Sequence, residues 1–114
     1  MSTAITIKAY EIWSYGNGGE IEFVIVVSND ILNASKSETV IVVPIVTSDF
    51  QLPTHVRLEH SDLEACSNME TGFAACDLVR TVLKTSLKSR MTALSKKDIE
   101  GLREAIQFVF GVGY

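Results

Sequence analysis

At 114 residues, 46% of them apolar and 21% charged, the chain is sized for one globular domain spanning 1–114, with a core of its own. No window is apolar for the length that crosses a bilayer, and a net charge of −4 excludes a protein that coats nucleic acid by bulk electrostatics, though not one with a local basic groove. The opening "MSTAITIKAYEIW" has no basic region ahead of a long apolar stretch, so no signal peptide is read and the expected location is the cytoplasm.

In chain order, "IKAYEIWSY" alternates well enough for a first strand, and "YGNGGE" after it is a glycine-rich turn that makes a hairpin with "EIEFVIVVSND" at 20–30. Two further β-branched runs follow, "ETVIVVPIV" at 38–46 and "THVRLEH" at 54–60. Residues 72–83 read as one more strand, or a bent pair broken at "CDLVR". From Ser95 the period changes to that of a helix. Ser95 is an N-cap with Asp98 at the capping-box spacing, Ile99, Leu102, Ile106 and Val109 share one face, and Gly111 and Gly113 end the helix. A C-terminal amphipathic helix on a mostly antiparallel sheet is the economical architecture.

No phosphate-binding loop, dinucleotide fingerprint, Cys-x-x-Cys or His-Glu-x-x-His occurs, so no cofactor and no metal site is expected. Cys66 and Cys76 fit no metal knuckle and read as reduced structural residues. His55 and His60 would fall on opposite faces of a single strand and read as separate surface histidines. Thr47, Ser48 and Asp49 suit a turn at a strand end, which on these residues alone is preferred over a hydroxyl pair that holds a phosphate. "CDLVRT" sets Asp77, Arg80 and Thr81 in an apolar run. Asp77 and Arg80 either close a structural salt bridge across a bend or serve chemistry, the carboxylate taking a proton from a ribose 2′-hydroxyl while the guanidinium holds the adjacent phosphate.

Taken in order, "YEIW", the glycine-rich loop, "VIVVSNDILN", "TVIVVPIVTS", "LPTHVRL", "CDLVRTVLKTSL" and "LSKKDIEGLREAIQFVFG" resemble the MazF/PemK toxins of bacterial toxin-antitoxin pairs over nearly the whole chain. The resemblance implies a mainly β fold with a C-terminal α-helix, a compact SH3-like antiparallel β-barrel. It also implies a homodimer that cuts single-stranded RNA without metal and is silenced by a cognate acidic antitoxin. Asp77 matches the acid of the family's "CD" motif, a proton acceptor; Arg80 and Thr81 match its "RT" pair, with Arg80 on phosphate; Thr47 and Ser48 match its "TS". Glu22 stands where an arginine near the scissile phosphate is usual, Ala75 where an arginine precedes "CD", and Val46 lengthens the usual "PxTS". Lys84, Lys88 and Arg90 are the basic residues available to support substrate binding. The sister branch, the CcdB poisons of DNA gyrase, supplies an alternative: a non-cleaving toxin of the same fold, its "FVFGVGY" end loosely similar to a gyrase-engaging tail.

Overall fold

The valine-rich segments form the centre of the structure, because β-branched side chains pack well on a pleated surface and lose little rotamer freedom there. The computed structural model describes residues 6–16, 22–67 and 69–111. Most of the turn expected at 15–20, together with Gly113 and the end of the tail, lies outside the described residues. Among the described residues seven strands form one antiparallel sheet: β1 (Glu11–Tyr15), β2 (Glu22–Val26), β3 (Thr39–Val46), β4 (His55–Arg57), β5 (Phe73–Ala75), β6 (Arg80–Leu83) and β7 (Leu87–Ala93). Their order is β4-β5-β3-β2-β1-β7, with β6 also on β3.

β3 is the hub. One edge bonds β2 from Val42 to Pro44; the other carries β6 against Thr39–Val42 and β5 against Ile45–Val46. A proline inside a central strand needs a place for its missing donor. Val27 N bonds Ile41 O at 2.9 Å, which makes Val24↔Pro44 a non-hydrogen-bonded pair, so the Pro44 nitrogen faces away from β2 toward the break between β6 and β5. That break is the 3₁₀ turn Cys76–Leu78, the bend expected at "CDLVR".

Alternation along the strands gives two cores. Phe23, Ile25, Val43 and Ile45 face a helix-covered side, while Trp13, Val24, Val26, Val40 and Val42 face a second cluster closed by Ile7, Val82 and Leu87. Both faces are therefore buried within one chain, and the need to cover a bare sheet face is no reason for dimerisation. Among the described residues no pairing joins β4 to β7, so the barrel is curled but open along that seam. α3 (Lys96–Phe110) packs near β4, and its Gly101 allows the approach: a Cβ there would stand 3.1 Å from Val56 Cγ1.

α3 ends as expected, on Gly111 in the left-handed region at φ 67°. At its start Ser95 Oγ accepts from Asp98 N at 3.3 Å, the expected cap. The reciprocal half of the box is rewired. Ser95 N donates to Asp62 Oδ2 at 3.1 Å, whereas the Asp98 carboxylate accepts from Glu59 N at 2.8 Å. Asp62 and Asp98 are both buried here, and burial, followed by a hydrogen bond with Asp62, pushes the Asp98 carboxyl up to about 7. Two short helices and one strand were not expected. α1 (Asp30–Ala34) is capped by Asn29, and α2 (His60–Leu63) replaces the end of the expected strand at 54–60, which stops at Arg57. β7 is the edge strand on β1.

Candidate functional site

Beyond Val46, β3 runs out of partners and the chain turns, leaving Thr47, Ser48, Asp49 and Phe50 exposed. Together with Glu22, Phe23, Ile45, Val46 and Met69, the side chains of Thr47, Ser48 and Phe50 line an open groove of about 540 Å³. Its floor is apolar, its rim holds two hydroxyls and a carboxylate, and its exposed aromatic ring offers a flat stacking face.

Two charged pairs connect to residues of this groove, one through Phe50 and one through Glu22. The first includes Asp77, on the 3₁₀ turn after β5, and its partner is not Arg80. His55 of β4 sits directly across the ladder from Ala75, and its Nε2 lies 2.7 Å from Asp77 Oδ1. The His55 side chain is 4% exposed and that of Asp77 38%. Phe50 meets the imidazole edge-on, with ring centroids 5.6 Å apart at 84°. The expectation that His55 is a surface histidine fails because β4 turns it inward under Phe50. His60, on α2 and exposed, reaches Glu64 at 3.5 Å instead.

In the second pair Arg80 Nη2 donates at 2.8 Å to Oε1 of Glu22, a residue of the groove lining. Tyr15 faces Glu22 across the β1/β2 ladder, and the Arg80 guanidinium lies 5.2 Å from the Tyr15 ring centroid. The salt bridge read between Asp77 and Arg80 is thus absent; each bonds a residue distant in sequence. The Arg80–Glu22 side chains are 40% and 38% exposed, a class of pair that contributes little to stability and is open to exchange with another anion.

The remaining candidates are scattered. Thr81 is exposed on β6, opposite Ile41. Lys84 Nζ is engaged at the end of α1, donating to Ser35 O at 2.8 Å and Leu32 O at 3.5 Å. Lys88 is exposed on β7, and Arg90 of the same strand is paired with Glu11, whose buried carboxylate also accepts from Lys8 N and Trp13 Nε1. The cysteines are unpaired and buried; burial foremost, with Asp62 near one and Asp77 near the other, pushes Cys66 up to about 11 and Cys76 to about 12, so neither is a ready nucleophile. Among the described residues no three His, Cys, Asp or Glu side chains converge as a metal site, and no helix is long and apolar enough to cross a membrane.

The sequence matches, over residues 9–110, the family described as the PemK-like, MazF-like toxin of type II toxin-antitoxin systems. No curated protein matches it in sequence. Among solved structures, it is similar to an endoribonuclease in complex with its cognate antitoxin from a mycobacterial species: 19% identity, 95% of this chain and 98% of that one covered, TM-score 0.82. A second mycobacterial endoribonuclease superposes with TM-score 0.81 at 18% identity, covering 99% of each chain. A MazE-MazF structure from Deinococcus radiodurans gives TM-score 0.77 at 15% identity, over 95% of this chain and 98% of that one. At such identities the structural likeness speaks to the fold.

Proposed function

The chain belongs to the PemK-like, MazF-like toxin family of type II toxin-antitoxin systems, and on that footing we propose that it is an endoribonuclease that cuts single-stranded RNA with side chains alone. The feature that supports this reading best is the half-open Asp77 carboxylate, bonded at one oxygen by His55, which in turn packs against the Phe50 ring of a groove that carries two free hydroxyls. RNA carries its own nucleophile. The 2′-oxygen attacks the neighbouring phosphorus to close a 2′,3′-cyclic phosphate while the bond to the 5′-oxygen breaks; Asp77 accepts the 2′-hydroxyl proton, and the departing 5′-oxygen takes a proton from water. Thr47 and Ser48 orient the phosphate, Phe50 stacks a base, Arg80 exchanges Glu22 for a phosphate oxygen, and Thr81, next to Arg80 on β6, offers a hydroxyl to the substrate. Lys84, engaged on the α1 carbonyls, contributes to substrate binding only by releasing them.

Glu22 limits the rate in this scheme, since a carboxylate occupies the guanidinium that the phosphate needs. The protein is further proposed to form a homodimer, and an acidic antitoxin in the cytoplasm is proposed to bind over the groove, its carboxylates competing for Arg80. Incubating the purified protein with a long RNA, with and without EDTA, tests the reading. Cleavage in both, leaving 5′-hydroxyl ends and lowered by Asp77→Asn in a folded protein, is the expected result. A protein inert on every RNA but bound to DNA gyrase would replace it.

A further inference from the structure

His55 has no place in the scheme so far, and its surroundings are unlike those of a bystander. Its side chain is 4% exposed, pinned by the edge-on ring of Phe50 and seated over the small Ala75. Of its two ring nitrogens, Nε2 meets Asp77 Oδ1 at 2.7 Å, while Nδ1 is buried with no partner among the described residues. A buried N–H without an acceptor is costly, whereas a bare ring nitrogen forfeits less. The proton of a neutral ring therefore belongs on Nε2, where it is donated to the carboxylate.

We infer that His55 is the positioning residue for Asp77: an Nε2–H donor that fixes one carboxylate oxygen so that the other faces the RNA groove. This deepens the proposed nuclease reading and rests on it. Asp77 sits on a three-residue turn and is half open to solvent, and among the described residues no other group bonds its carboxylate. Left alone it would sample several rotamers. One donor from a ring held by β4 and Phe50 removes that freedom, which matters because misplacing a reacting group by about 1 Å costs on the order of 100-fold in rate. His55 itself, buried beneath Phe50, does not touch the substrate. Its proton stays on Nε2 throughout; the proton in transit is the one that leaves the 2′-hydroxyl for Asp77.

The test uses His55→Leu, which keeps the volume and removes the donor, and His55→Gln, whose terminal amide places an N–H near the same point. His55→Leu should lower kcat by about 10- to 100-fold with KM little changed, and His55→Gln should recover most of the loss. Both should keep the wild-type circular dichroism spectrum. Combined with Asp77→Asn, His55→Leu should cost nothing further, because its effect passes through the carboxylate. Equal losses from His55→Leu in the presence and absence of Asp77, or no recovery by Gln in a folded protein, would overturn the inference and leave the nuclease reading standing. Nitrogen-15 spectra of the wild type give a readout independent of RNA. A proton on Nε2 is expected; a ring protonated on Nδ1 alone would overturn the assignment even in an active enzyme. A wild type that cleaves no RNA removes the nuclease reading and this role with it.

Discussion

Replacing Asp98 by asparagine should make the fold more stable at alkaline pH and flatten its dependence on pH. The Asp98 carboxyl is buried against Asp62, with Glu59 and Lys97 at the edge of the site, and its pKa is raised from 3.8 to about 7. Between those values the folded chain keeps a proton that the unfolded chain has released. Stability is therefore fully present below about pH 4 as far as this group is concerned, and it is lost as pH rises through about 7. The whole shift spans about three pH units at ~1.4 kcal/mol each, or ~4 kcal/mol. A scan from pH 5.5 to 8.5 crosses the upper half of it and should cost the wild type ~2 kcal/mol, about 8 °C in Tm for a domain of this size. Asparagine keeps the geometry: its carbonyl accepts from Glu59 N and its amide donates to Asp62 with no proton to lose. Thermal melts of the two proteins across the scan, read as a difference, cancel whatever the two chains share. Parallel curves for wild type and Asp98→Asn would refute the account.

Exchanging Glu22 for glutamine frees Arg80 from its 2.8 Å partner and should tighten RNA binding several-fold in a fluorescence titration, with Tm nearly unchanged because the pair is half exposed. Gly72→Ala should destabilise by ~1–3 kcal/mol in urea, since the new Cβ would stand 2.8 Å from Leu63 Cδ2 and 3.0 Å from Ile45 Cγ2. Removing the Ser95 hydroxyl with alanine should cost ~1 kcal/mol by the same measurement, the usual contribution of an N-cap. Native Cys66 and Cys76 should resist iodoacetamide at pH 8 and react once urea unfolds the chain; fast native labelling would contradict their burial.

The parts of the fold that depend on local pattern were legible. The valine runs of β2 and β3, the bend at Asp77 and the stripe and caps of α3 all appear in the sequence with the right residues. β7 was not legible because an edge strand reads "LKSRMTA", with one buried residue and charges that protect the edge rather than mark it. The end of the strand at 54–60 was misread because Glu59 and His60 carry no signal that a helix follows. In the site, sequence picked out Asp77, Arg80 and the oddity of Glu22, yet paired the first two with each other. Their true partners lie 22 and 58 residues away, and such choices are settled by which strands flank β3. His55 was passed over for the same reason. Its one local sign was Phe50 five residues upstream, and that sign gains meaning only once the turn between them is known.

The pairing of β1 with β7 also sets an order on how the protein is made. Residues 11–15 leave the ribosome early, but their outer neighbour is 87–93, and the buried Glu11 carboxylate meets its guanidinium only when Arg90 arrives. A chain halted before that point leaves β1, rather than the charged β7, as the edge strand and holds a charge in the interior without its counterion. The sheet and its buried ion pair are thus completed only when β7 arrives.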